Sequence, residues 1–465
     1  MRSPPHRRPR VRGALALGLL ALAACASAPS RVDRDLLEVE RALRPASAPS
    51  APRLTDAESP VPLALDGSLR AYLSHAFAHS PALRATFEQW RAATYGPATA
   101  RRLDEPTLSY TWFIGGMDTP MGPQRHRVGV MQMFPWPTKI RAASRAEELA
   151  AAAAQRRFEA HALELAAVVA RAYWRLWQLR RARELQRAQL EILRSVGELV
   201  RIRVTTGDAG LGALAQVDLQ ISRSEDELFA FDPRERAAVA ELRRAIGGAA
   251  PPLLLTTDDP PPPRSPSEPQ EQLHRALAAH PEVNGRELLA RAGAERARAA
   301  GADRYPSLGL GFDWTQIGPA RDPTHPHAGR DMFMLQTSLK IPIWGAAYRA
   351  AIRQAEAEGA AEAAEARAAR DRAAADLEAV LSDIEDSARR IRLYTGALAP
   401  QAETARAALQ SSYQVGRAAL SDLLLLERDL IDLEAAHLQA RVDHALAWAE
   451  LERIVGRPVA AQTIE

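Results

Sequence analysis

The chain has 465 residues, 25% of them charged, and a formal net charge of +3. That near-balance gives no overall basic field for nucleic acid, and the arginines are spread along helical stretches with no single patch. The sole cysteine, Cys25, excludes any disulfide within the chain.

Arg2, Arg7, Arg8, Arg10 and Arg12 precede an apolar run from Ala14 to Ala24. The run is too short to span a bilayer, and with its basic flank it predicts a signal peptide over 1–24. Its end, Leu22-Ala23-Ala24-Cys25, resembles a bacterial lipobox. That resemblance implies cleavage that leaves Cys25 as the acylated first residue; Ala26 at the next position implies the outer membrane as destination. Residues 25–68, rich in Ala, Ser and Pro, predict a tether with little core. No later segment has 18 consecutive apolar residues, so any membrane-crossing part must be built of strands.

A helix is predicted over Leu69–Leu103. Two strands follow, at 105–115 and 126–135, with period-two alternation around a turn. From Lys139 to Val204 no proline occurs, and a helix of that length runs on the order of 100 Å. Leu185, Ile192 and Leu199 recur every seven residues, with Val196 and Val200 interleaved, and predict a coiled-coil seam. The Thr205–Gly210 stretch breaks the helix, and Leu214–Ile246 resumes it, with Pro233 predicted to kink or split it near Phe231. The first unit thus spans 69–248, and a proline-rich connector spans 249–269.

Residues 270–456 repeat the unit, and 457–465 form a tail. His79-Ser80-Pro81, Pro135 and Gly207 return as Ala279-His280-Pro281, Pro342 and Gly416, at an offset of about 200 to 209 residues. A helix is predicted over 270–303, strands at 305–315 and 332–342, a long helix from Ala346 to Tyr413 interrupted by Pro400, and a last helix over Leu420–Val455. In the second hairpin Leu308, Leu310 and Phe312 alternate with small or polar residues on the way out. Phe333, Leu335, Leu339 and Ile341 do so on the return. These seven are predicted to face lipid. Ten-residue alternating strands have the length that crosses a bilayer. Open sheet edges cannot sit in hydrocarbon, and four strands cannot close a barrel, whereas three chains supply twelve. The expected fold is mostly α with a membrane β-barrel part: a trimeric 12-stranded barrel continued by an α-helical tube.

With these elements in view, the layout resembles the TolC-type outer membrane factors over about Leu69 to Gly456. The carrying motifs are Tyr305-Pro306-Ser307-Leu308, Phe134-Pro135-Trp136-Pro137-Thr138-Lys139, Pro342-Ile343-Trp344-Gly345, and Tyr413-Gln414-Val415-Gly416 followed by Ser421-Asp422-Leu423-Leu424. The Phe-Pro-Trp-Pro-x-Lys form beside a lipobox is closest in style to the heavy-metal efflux branch (CzcC/CusC-like). The resemblance implies a passive export duct. It would be a homotrimer in outer membrane lipid, docked to a periplasmic adaptor (membrane fusion) protein and an inner-membrane pump of RND or ABC type. It also implies a periplasmic constriction built from Tyr413, Gly416 and Asp422. The family's second acidic position is Leu425 here. Its gating arginine position is Ala418, with Arg417 adjacent but out of register.

Other readings stand beside this one. The same duct could serve type I protein secretion, or the helices could form a lipid-anchored periplasmic coiled-coil scaffold. Asp422 and Ser421 are also read as residues that cap a helix start. Met117, Met121, Met131, Met133, Met332 and Met334 cluster in the hairpins, where thioethers suit Cu(I) but more often fill space. His325 and His327 fall in an outer loop and are read as solvated. No catalytic constellation occurs, so neither an enzyme, a cofactor nor a bound metal is expected. Trp112, Trp136, Trp314 and Trp344 are placed at the membrane interfaces, and Trp174 and Trp177 in the helical wall.

Overall fold

The computed structural model describes residues 36, 38–40, 66–117, 119–207, 209–247, 254–320, 324, 326 and 327–463. It divides into two compact units, 1–54 and 55–465. In the first, the described residues Leu36 and 38–40 are helical; Cys25 lies outside the described residues. All that follows concerns the second unit.

Three helices open it: α1 (Leu69–His79), α2 (Pro81–Thr94) and α3 (Gly96–Ala100). The single helix expected over 69–103 is therefore broken twice. Ser80 ends α1 and caps α2, its Oγ accepting from the Leu83 N–H at 3.3 Å, while Pro81 supplies a first-turn residue that needs no N–H partner. Strands β1 (Thr107–Met117) and β2 (Gln124–Phe134) lead into α4 (Pro137–Thr205), 69 residues long, which turns at Gly207 into α5 (Leu211–Ile246). Pro233 does not split α5. It sits at an exposed position of the helix, and its ring denies the Phe229 carbonyl the usual N–H partner.

The connector holds a short strand, β3 (Arg264–Pro266), which pairs with β6 (Ala461–Thr463) in the tail. Neither was expected from sequence. The second repeat continues with α6 (Gln270–Leu277), α7 (Pro281–Ala302), β4 (Ser307–Ile317), β5 (Met332–Lys340) and α8 (Gly345–Leu393). The helix expected over 270–303 is broken before Pro281, where His280 Nδ1 accepts from the Glu282 N–H. Pro400 does not end the second long helix. A π turn over Tyr394–Leu398 widens the backbone just before it and leads into α9 (Ala399–Gln414). After a left-handed Gly416 (φ +76°) the chain enters α10 (Leu420–Val455).

Among the described residues, apolar clusters hold the helices together. Tyr72, Tyr173, Trp177, Leu242 and Leu254 bury one junction of α1, α4 and α5. Trp448, Leu451, Leu273 and Leu377 bury the junction of α6, α8 and α10. A further cluster sits at the helix tips. Of the expected α4 seam, Val196 and Val200 are buried, as are Leu190 and Leu193, whereas Leu185, Ile192 and Leu199 are half-buried. Between α7 and α8 a Cβ on Gly293 would stand 2.6 Å from the Gly359 Cα, so the two glycines set how closely these helices approach.

His444 on α10 is fully buried. Its Nε2 accepts the backbone N–H of Arg264 at 3.0 Å, so the neutral ring carries its proton on Nδ1, 3.0 Å from Ser387 Oγ. Burial lowers its pKa to about 4, helped by the nearby Arg264 guanidinium. A base depressed in the folded state contributes stability above its unfolded value of 6.5, and that contribution is lost as pH falls toward 4. The loss approaches about 3 kcal/mol. His444→Gln removes the titration, so its melting temperature by circular dichroism should fall less than that of the wild type between pH 7 and pH 4.5. Equal falls would contradict this.

Candidate functional site

The four long strands form one antiparallel sheet in the order β1-β2-β4-β5. Register sorts its side chains. Leu108 lies opposite Val130, Val130 opposite Phe312, and Phe312 opposite Leu335. The same alternation puts Phe134, Leu308 and Leu339 on that face. Leu310 and Phe333 share it too, and all seven residues expected to face lipid are exposed, Leu335 at 79% and Ile341 at 64%. A contiguous exposed apolar face of this extent marks an interaction surface.

The opposite face carries Arg127, Gly129, Met131 and Met133 on β2, Asp313 and Thr315 on β4, and Gln336, Ser338 and Lys340 on β5. Arg127 Nε donates to Thr315 Oγ1 at 3.3 Å. Met131 and Met133 both point their sulfurs toward Ser338 Oγ, at 3.8 Å each, filling the space over Gly309. The sheet is thus apolar on one face and polar on the other. Among the described residues, β1 and β5 each leave one edge without a strand partner within the chain.

Aromatic rings collect at both ends of the apolar face. At the turn end Tyr110 Oη meets His126 Nδ1 at 2.9 Å, and the Trp314 indole donates to Asp331. At the helix end Trp136 stacks on Tyr305 at 5.5 Å, and Trp344 is exposed. The Phe-Pro-Trp-Pro-x-Lys motif gains a physical role here. Pro137 starts α4, and Lys139 forms an ion pair with Asp303 at 2.6 Å, joining the start of α4 to the end of α7.

The far end of the helices brings α4, α5, α9 and α10 together through Val196, Val200, Val217, Tyr413, Leu420 and Leu423. Tyr413 is buried in this cluster. Sequence reasoning missed its partner: Arg203, on the last turn of α4. The Arg203 guanidinium lies 5.0 Å over the Tyr413 ring and donates to the Tyr413 carbonyl at 2.9 Å. Asp422 is exposed in the first turn of α10. Ala419 occupies the N-cap and no side chain caps it, so the capping reading of Ser421 does not hold. Val415, at the end of α9, and Leu425, three residues after Asp422, are exposed. Close by on the α9–α10 pair, Glu427 is buried, and burial raises its pKa.

Among the described residues no group of three or more His, Cys, Asp or Glu could hold a metal ion. No described helix is long and apolar enough to cross a membrane.

The family model for outer membrane efflux proteins matches residues 72–248 and 272–457, one match per repeat. No curated protein matches the sequence. Among solved structures, CusC aligns with a TM-score of 0.70 at 16% identity, over 84% of this chain and 92% of that one. VceC from Vibrio cholerae aligns with a TM-score of 0.68 at 20% identity, over 84% and 96%. CmeC from Campylobacter jejuni gives 0.65 at 13%, over 88% and 91%. At these identities the structures show a shared fold. The family match covers most of the chain, and with a four-stranded sheet on long paired helices it leaves one assignment: the chain belongs to the outer membrane efflux proteins, the TolC-type outer membrane factors.

Proposed function

We propose that three copies of this chain join β1 to β5 edges and close a twelve-stranded barrel in the outer membrane, continued by their helices as a periplasmic tube. The observation that carries this reading is the sheet itself: one apolar exposed face, one polar face and two open edges. Hydrocarbon tolerates the first and forbids the last unless other chains cover them. A periplasmic scaffold would leave the same apolar face in water.

The duct is passive and takes its energy from an inner-membrane pump through a periplasmic adaptor. Its cargo is small toxic compounds or metal ions. Arg203 and Tyr413 hold the tips of the two helical pairs together, and Asp422 lines the narrowing beyond them. Three copies of Asp422 around one axis favour cations. Acylated Cys25 adds an anchor. The strands of the barrel hold the protein in lipid independently of that anchor. Cys25→Ser should therefore leave the protein in the membrane fraction after cell lysis. Its complete release into the soluble periplasmic fraction would sink the barrel reading.

A further inference from the structure

Beneath β2 and β4 a shallow groove of ≈ 680 Å³ lies between the start of α4 and the end of α7. Four arginines line it, Arg141, Arg145, Arg298 and Arg304, together with Trp136 and Tyr305. All four arginines are exposed. The one acid in the lining, Glu295, is already paired with Arg298 at 2.6 Å. Arg145 is paired with Glu148 at 3.0 Å. Arg141 and Arg304 have no ion pair among the described residues; Arg304 only lies over the Tyr305 ring at 5.4 Å and touches its hydroxyl. The groove therefore carries an excess of positive charge, with two guanidinium groups lacking an acidic partner.

Its place matters as much as its charge. Trp136 lies two residues past Phe134 and is exposed like it, so the groove opens where the apolar strand face ends. β2 and β4 are the central strands, so copies that join at the β1 and β5 edges meet the chain away from it. The sequence of surfaces, from strand to helix, is apolar wall, aromatic pair, arginine cluster. A phospholipid has the same order: acyl chain, glycerol ester, phosphate. Guanidinium forks match phosphate oxygens two bonds at a time, and basic pockets at a membrane boundary suit anionic headgroups.

We propose that this groove binds the phosphate-bearing headgroup of an anionic phospholipid, whose acyl chains lie along Phe134 and Leu308. The inference rests on the barrel reading. Its test is native mass spectrometry of the protein released from nanodiscs holding phosphatidylglycerol and phosphatidylcholine in equal amounts. The wild type should retain phosphatidylglycerol with an about tenfold preference, and R141Q/R304Q should lose that preference. Arg175→Gln, an exposed side chain on α4 outside the groove, should behave as wild type. If R141Q/R304Q does not form trimers, Arg141→Gln alone carries the test, since among the described residues its side chain forms no ion pair. Insertion without a lipid preference, or a preference that survives the substitutions, would overturn the inference alone. Displacement of the lipid by millimolar inorganic phosphate would assign the groove to free phosphate and overturn it too. A protein that stays outside the nanodiscs would overturn the barrel reading as well.

Discussion

Leu310→Arg and Leu335→Arg should each stop the protein from assembling in membranes. Both side chains stand on the exposed apolar face of the sheet, and an arginine there costs about 2–4 kcal/mol near the bilayer midplane. Three copies multiply the cost within one barrel. Ser338, two residues before Lys340, belongs to the polar face beside Met131 and Met133. Ser338→Arg should assemble, because its guanidinium would enter a hydrated lumen. The measurement is the trimer band of membrane extracts on mild-detergent gels, with heated samples as the monomer reference. Loss of the trimer in the two leucine variants and its retention in Ser338→Arg is the expected pattern. Identical behaviour of all three would mean that the faces are assigned wrongly.

The second large effect lies at the other end. Arg203→Ala removes a charge-assisted hydrogen bond to the Tyr413 carbonyl and a cation stacked on its ring. Such contacts contribute about 1.5–3 kcal/mol and about 0.5–1 kcal/mol respectively. If they hold the tips closed, their loss should raise the open population by about tenfold or more. Conductance of purified trimers in planar bilayers should rise accordingly. Arg203→Lys, which keeps the charge but not the fork, should fall between. Tyr413→Phe should conduct as wild type, since the ring and the backbone carbonyl, not the hydroxyl, meet Arg203. Unchanged conductance in Arg203→Ala, with trimers intact, would show that the contact is structural only.

The parts of this fold that the sequence made legible are those with a short period. Strand alternation places Leu308, Leu310 and Phe312 on one face because successive side chains must point to opposite sides. The helices were legible as helices but not in their breaks. Yet the signal was present: Ser80-Pro81 and His280-Pro281 each join a capping side chain to a residue suited to a first turn. At the prolines the outcome depends on the local backbone: the helix runs through Pro233, and the interruption expected at Pro400 takes the form of a π turn just before it, a device that leaves no mark in composition.

Long-range partners were out of reach for another reason. Three residues at 264–266 pair with three at 461–463, and Arg203 meets Tyr413, 210 positions away. Contacts of that separation have no periodicity to betray them. Tyr413 itself was found through a family motif, which marks the turn but says nothing of what covers the ring. Arg203 could have been suspected only from its position beside Gly207, the first-repeat counterpart of Gly416.

The central claim is that neighbouring copies meet edge to edge and that three close the ring. Cross-linking tests it most directly, because Cys25 is the only native thiol. In a Cys25→Ser background, cysteines replacing Ser109 on β1 and Gln336 on β5 would lie on the two open edges. On oxidation in membranes the account predicts covalent dimers and then trimers, with nothing larger. Monomers alone, or a ladder that continues past three, would contradict it.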